Sequence, residues 1–251
     1  MAAVANTAAR IWEAGATERA GDGSLAWRRA IHMTAIEITT TWATAAEDIA
    51  RHIGDLLPGD VTVYTHSRSG TAEYALLWLA RMGRLRRVII GESRPGGEGI
   101  ALARRLASDD NLRTAGTQVT LAADAASGLR MGEVDTLLIG ADSVRADGSV
   151  VNKVGTYPLA LMAHDLGRPV YVLCESLKIA SPTWPLTLEA GDPADALTAP
   201  IPGVVVDATA FDQTPSRLIG AVVAERGALD HEALTALAQE AQMALASLAG
   251  G

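Results

Sequence analysis

"VTVYTHSRSGTAEYALLWLARMG" (residues 61–83) passes from a β-branched run, through a polar turn, into a segment rich in helix formers. The run VTVYTH reads as a strand and TAEYALLWLARMG as the helix that follows it. Between them stand Ser67, Arg68, Ser69, Gly70 and Thr71. Small hydroxyls and a guanidinium at a helix start, where backbone N–H groups point outward, make a natural cradle for phosphate. An ordinary N-cap beside a solvated arginine reads equally well from these residues alone.

The strand–turn–helix unit repeats along the chain. Further runs lie at RVIIGES (87–93), QVTLAAD (118–124), TLLIGAD (136–142), VYVLCES (170–176) and GVVVDAT (203–209). Most are separated by helix-like segments, and their apolar residues run together instead of alternating. That pattern predicts an α/β fold with a Rossmann-like parallel sheet covered on both faces. Residues 1–57 read as helical and contain no strand pattern. In TAIEITTTWATAAEDIARHI, Trp42, Ala45, Ile49 and Ile53 fall on one helical face. Pro58 and Gly59 then break the pattern, placing a small helical N-terminal domain at 1–57 and the Rossmann-like domain at 58–251. The tail HEALTALAQEAQMALASLAG predicts a last amphipathic helix with Leu234, Leu237, Ala241, Leu245 and Leu248 along one stripe.

Bulk properties exclude several classes. A net charge of −8 disfavours nucleic acid as a direct partner, since phosphate backbones require a basic face. No apolar stretch is long enough to span a membrane and no targeting segment opens the chain, so a cytoplasmic protein is expected. The single cysteine, Cys174, allows no internal disulfide and suits a reducing compartment. The five histidines form no metal-binding motif, and no GxGxxG fingerprint marks a dinucleotide site. Neither a metal nor an organic cofactor is expected.

Polar residues gather where the strands end. In open α/β sheets the ligand crevice lies outside the carboxyl ends of the strands, so these clusters should converge. In GESRPGGEG, Arg94 could grip a phosphate, although an internal pair with Glu92 is an equally simple reading. In GADSVRADGSVVNKVGTYPLA, Asp142 closes an apolar strand, where a carboxylate is costly without a task or a partner. The turn RADGS (145–149) should fold Asn152 and Lys153 back towards it, and a plain Asp–Lys salt bridge is the alternative. CESLK adds Glu175 and Lys178, the lysine suited to a second phosphate or an oxyanion. Cys174 lies within its strand and reads as a small buried hydrophobe. His66 reads as a hydrogen-bonded loop residue, and Asp212 as the cap of a helix starting at Pro215.

These clusters, in this order, resemble one superfamily. It contains the alpha, beta and delta subunits of translation initiation factor 2B, methylthioribose-1-phosphate isomerase and ribose-1,5-bisphosphate isomerase. The matching pieces are THSRSGT, ESRPGGEG, GADSVRADGSVVNKVGTYPLAL, PVYVLCESLK and FDQTPSRLI, spanning about residues 61–229. The resemblance implies a helical N-terminal domain on a Rossmann-like domain, and a homodimer or higher homo-oligomer. Its isomerases turn a pentose 1-phosphate into a ketose 1-phosphate with a cysteine and an aspartate. Asp142 matches the aspartate, Asn152 and Lys153 match substrate contacts, and Lys178 matches a lysine shared with the ribose-bisphosphate branch. Where the isomerases carry THC this chain has THS, which puts Ser67 at the cysteine position. A serine hydroxyl is a much poorer acid or base near neutrality than a thiol. The isomerases' N-terminal substrate segment also has no match in residues 1–57. The resemblance therefore implies either an isomerase of a ribose 1-phosphate derivative, with Asp142 and Ser67 at the reacting centre, or a non-catalytic sensor of a sugar phosphate or nucleotide. In both, Arg68, Ser69, Arg94, Asn152, Lys153 and Lys178 hold the ligand.

Overall fold

The computed structural model describes residues 2–19, 24–185, 188, 190–197, 199 and 201–249, without the side chains of 2, 15–19, 24–27, 42, 43, 248 and 249. The expected stripe positions Trp42 and Leu248 thus fall outside the described side chains. Two helices, α1 (Ala2–Arg19) and α2 (Ser24–Leu56), precede the first strand. There follow β1 (Val61–Thr65), α3 (Gly70–Arg81), β2 (Leu85–Gly91), α4 (Glu98–Ala107), α5 (Asp110–Ala115) and β3 (Gln118–Ala122). Next come α6 (Ser127–Met131), β4 (Thr136–Ile139), β5 (Ser143–Val144), β6 (Val150–Lys153), α7 (Thr156–Asp165) and β7 (Val170–Leu173). The chain closes with α8 (Pro193–Ala196), β8 (Phe211–Thr214), β9 (Ala221–Ala224), β10 (Gly227–Leu229) and α9 (His231–Ala249). Among the described residues no helix is long and apolar enough to cross a membrane.

The main sheet runs β10-β9-β7-β4-β1-β2-β3, all pairs parallel except β10 with β9. Numbered by sequence, its parallel strands read 6-5-4-1-2-3, the doubly wound Rossmann order, as expected. Successive residues serve opposite faces. Tyr64, Ile89, Leu137 and Val172 pack with Leu159, Ala163, Leu234 and Leu237 of α7 and α9. Val63, Ile90, Leu138 and Leu173 pack with Ile49 and Ile53 of α2, Leu76 and Leu79 of α3 and Leu102 of α4. Both faces being covered explains the continuous apolar runs. The last turns of α2 share this second core with the sheet, while α1 lies against α2 and α9.

Two expectations fail. GVVVDAT (203–209) forms no strand: Val205 is 96% exposed, and Thr209 makes only an isolated bridge to Ala190. The sixth parallel strand is β9, AVVA, whose four residues are too few to stand out as a pattern. After Pro215 there is a single 3₁₀ turn, Ser216–Leu218, instead of a helix. The expected fold-back does occur. β5 and β6 pair antiparallel across the 145–149 turn, and β8 adds to form a small second sheet.

Close backbone approach sets where β2 meets α4. A Cβ on Gly99 would lie 1.8 Å from the Gly91 carbonyl oxygen. Gly99→Ala therefore has to push α4 off the sheet, costing roughly 1–3 kcal/mol by overpacking. Gly132→Ala, where the nearest atom is 3.5 Å away, should stay within about 0.5 kcal/mol of wild type. Urea midpoints of the two variants check this.

Candidate functional site

The strand order reverses between β1 and β4, so the chain leaves these neighbours toward opposite edges of the sheet, the point where open α/β sheets place a ligand crevice. The turn after β1 and the turn after β4 meet there. A Cβ on Gly140 would lie 2.4 Å from the Ser69 Cβ, so glycine is what lets the two turns touch. Ser69 is the N-cap of α3, accepting from the Ala72 N–H at 3.4 Å. The first turn of α3 thus opens beside the end of β4, where Asp142 follows.

Ser67 takes a left-handed backbone, φ 61°, held by its own N–H donating to Ser93 Oγ at 2.7 Å. Ser93 is also left-handed, φ 66°, and fully buried. Asp124 fixes the turn after β2 by accepting from the Ser93 and Arg94 N–H groups at 2.9 and 2.6 Å. His66, buried, belongs to the turn after β1, and its ring faces Ser93 in the turn after β2. Its Nε2 donates to the Val154 carbonyl at 2.8 Å, leaving Nδ1 as an acceptor 3.2 Å from Ser93 Oγ. Burial pushes the His66 pKa below its usual value, against the pull of the Val154 carbonyl, so the ring sits neutral. His66 is the hydrogen-bonded loop residue that was expected.

The second small sheet carries Asn152 and Lys153 into the same region. The Asp142 N–H donates to the Val151 carbonyl at 3.0 Å, which ties the end of β4 to β6. Asn152 is buried and donates to Thr156 Oγ1 at 3.0 Å. Lys153, only 8% exposed, places Nζ 2.7 Å from Glu98 Oε1. The other Glu98 oxygen, Oε2, is buried with no hydrogen-bond partner among the described residues. Asp212 caps α7 and not a helix after Pro215. It accepts from the Gly155 and Tyr157 N–H groups, and burial raises its carboxyl despite them.

Lys178 follows β7 and sits 3.4 Å from Glu175 Oε2, while Thr71 of α3 donates to Glu175 Oε1 at 2.5 Å. Burial works against the Glu175 carboxylate, but Lys178 and Thr71 outweigh it and hold its pKa below the usual range. Arg68 and Arg94 are exposed and turn to nearby carboxylates, Glu73 at 3.2 Å and Glu92 at 3.5 Å. Each of the four expected cations is therefore paired with an acid. Cys174 is fully buried and its thiol is pushed up to about 12 by burial, in keeping with the hydrophobe reading.

A cavity of about 530 Å³ opens between the N-terminal helices and the ends of β7 and β9, with Arg10, Glu37, Glu175, Ser176, Glu225 and Arg226 in its wall. Among the described residues, no group of three or more His, Cys, Asp or Glu is placed to hold a metal ion. Ser93 and Asp124, which set the turn geometry, were missed from sequence. Asp124 carries the signal in retrospect, as a carboxylate at a strand end like Asp142.

A sequence model of the Initiation factor 2 subunit family matches residues 3–231. The ribose 1,5-bisphosphate isomerase of Haloferax volcanii is 31% identical over 220 residues, covering 85% of this chain and 66% of that protein. The methylthioribose-1-phosphate isomerase of Chloroflexus aurantiacus is 34% identical over 238 residues, covering 88% of this chain and 67% of that protein. The solved structure of the Pyrococcus horikoshii translation initiation factor eIF-2B superposes with a TM-score of 0.68 at 29% identity, over 80% of this chain and 70% of that one. The chain spans between 55% and 67% of the length of these and other curated relatives that it matches.

His66 generates a pH prediction. Its folded pKa lies below the unfolded value near 6.5, so below about pH 6.5 the unfolded chain binds the extra proton and stability falls. The urea midpoint should drop as the pH falls below about 6.5, and His66→Gln should flatten that drop. Asp212, with its raised carboxyl, acts with the opposite sign at lower pH and is common to both proteins.

Proposed function

The chain belongs to the Initiation factor 2 subunit family, and from that premise we propose that it binds a phosphorylated pentose in the crevice over β1 and β4. The observation that carries this reading is the pairing of every candidate cation with a carboxylate around a capped helix N-terminus. A bare anion would gain little from cations already neutralised. A sugar phosphate can use both halves of each pair: its phosphate takes the ammonium or guanidinium, and its hydroxyls donate to the released carboxylates. Lys178 and the first turn of α3 would hold one phosphate, with Arg68 and Ser69 at its edge. Asn152, Lys153 and Glu98 would bind the sugar, and Arg94 would close over the far end. The domain assignment belongs to the same proposal: residues 58–251 carry these groups, and 1–57 wall the crevice. So does a homo-oligomer, which sedimentation equilibrium checks.

Binding without turnover is the reading the geometry favours. Among the described residues no base is hydrogen-bonded to the Ser67 hydroxyl, and the His66 ring is committed to Val154 and Ser93. Cys174, the chain's single thiol, is sealed in the core and cannot stand in for a cysteine at position 67. A second reading, isomerisation of an aldose 1-phosphate to the ketose, is supported by exposed Asp142 at the end of β4 beside Asn152 and Lys153. There Asp142 would move the proton and Lys153 would steady the developing oxyanion.

A phosphorus NMR time course with ribose 1,5-bisphosphate, ribose 1-phosphate and methylthioribose 1-phosphate separates the readings. The expected result is broadening of one substrate's signal with no product. Lys178→Ala should weaken that binding by about 10- to 100-fold, the worth of a charged hydrogen bond. A ketose-phosphate signal that disappears in Asp142→Asn would replace the binding reading with the isomerase. No broadening with any of the three sugars would remove both.

A further inference from the structure

We infer that Asn6 of α1 is a positioning residue for Lys178, coupling the N-terminal helix to the phosphate end of the crevice. Asn6 is 5% exposed, and its Nδ2 donates to the Leu177 and Ile179 carbonyls, both at 2.8 Å. A carboxamide nitrogen has two N–H groups, and here each meets a carbonyl on either side of Lys178. Leu177 and Ile179 are themselves buried. Without Asn6 these two oxygens would lose partners that water cannot readily replace.

The rest of the segment is pinned from other sides. The Lys178 N–H closes the 3₁₀ turn on the Glu175 carbonyl at 2.9 Å, and the Ala180 N–H reaches Val144 at 2.7 Å. Glu225 accepts from both the Ser176 N–H and its hydroxyl. Asn6 supplies the remaining restraint, on the carbonyls that flank the lysine. That restraint sets the direction in which Lys178 leaves the backbone, towards Glu175 and, through it, Thr71 of the α3 first turn. The helix bearing Asn6 is anchored further along, where Trp12 Nε1 donates to the Ser247 carbonyl of α9 at 3.2 Å. A movement of α1 against α9 is thereby transmitted to the ammonium that would meet the phosphate.

This inference rests on the sugar-phosphate reading for its ligand but not for its geometry, and two measurements keep them apart. The first is amide hydrogen exchange of residues 178–180 in the ligand-free protein. Asn6→Ala should speed it about 10- to 100-fold, the loss of two hydrogen bonds to the segment. The second is a double-mutant cycle on the affinity for ribose 1,5-bisphosphate. Asn6→Ala should weaken binding about tenfold in wild type and have no further effect in Lys178→Ala, while remaining additive with Arg94→Ala. Asn6→Ser, with one donor, carries both measurements if Asn6→Ala does not fold. Unchanged exchange overturns the inference whatever the ligand does. Faster exchange with unchanged affinity, or with an equal loss in the Lys178→Ala background, shows a structural prop only and overturns it too. If wild type binds no ribose 1,5-bisphosphate, the sugar-phosphate reading falls for that ligand, and the exchange measurement alone decides whether Asn6 holds the Lys178 segment.

Discussion

The contact between Ser69 and Gly140 is the constraint on which the site depends. A parallel sheet that reverses its winding between β1 and β4 leaves a gap over their carboxyl ends. How wide that gap is depends on how closely the two outgoing turns approach. With no Cβ at Gly140, the α3 N-cap sits directly against the end of β4. The donors of the α3 first turn, Asp142 and the returning strand β6 are consequently held in one neighbourhood by backbone packing. Their long side chains do not have to find each other unaided.

Around that contact, two serines in left-handed backbone form the floor. Such a backbone is uncommon for residues with a side chain, and here both cases are joined by one hydrogen bond, Ser67 N–H to Ser93 Oγ. Asp124 holds the arrangement from a further loop, and His66, next to Ser67, from within the first turn. The same network that shapes the turn also keeps His66 from serving Ser67, because its Nε2 is given to Val154, its Nδ1 faces Ser93 Oγ, and burial lowers its basicity. Rigid presentation of Ser67 and activation of its hydroxyl are thus competing uses of one imidazole, and the fold has taken the first.

The balance of charge is equally a product of the assembled structure. Lys153 with Glu98 brings together the end of β6 and the start of α4, while Lys178 with Glu175 pairs two residues of one loop. Lys178 and Glu175 stand three apart in sequence and Arg94 and Glu92 two apart, so both pairs were visible locally. The pair between Lys153 and Glu98 spans 55 residues and had no local trace. Thr71, which ties Glu175 to the α3 first turn across 104 residues, was equally hidden.

Composition and pattern by themselves determined the class of fold, the parallel sheet buried on both faces, the fold-back that returns Asn152 and Lys153, and the strand-end positions of Ser67, Arg94, Asp142 and Lys178. These follow from local rules: residues facing two buried layers must be apolar throughout, and polar residues collect where strands leave the core. Local rules failed at GVVVDAT, where three valines look like a strand but lie in an exposed loop, and at AVVA, which is a strand because β7 and β10 flank it. Strand formation needs partners for its backbone groups, and no short apolar run carries information about whether partners exist. Only the tertiary structure decided that Glu98 neutralises Lys153, that Asp212 caps α7, and that an asparagine in α1 grips the loop bearing Lys178. Those pairings depend on distances between segments far apart in the chain, which are set when the sheet is wound and the helices close over it.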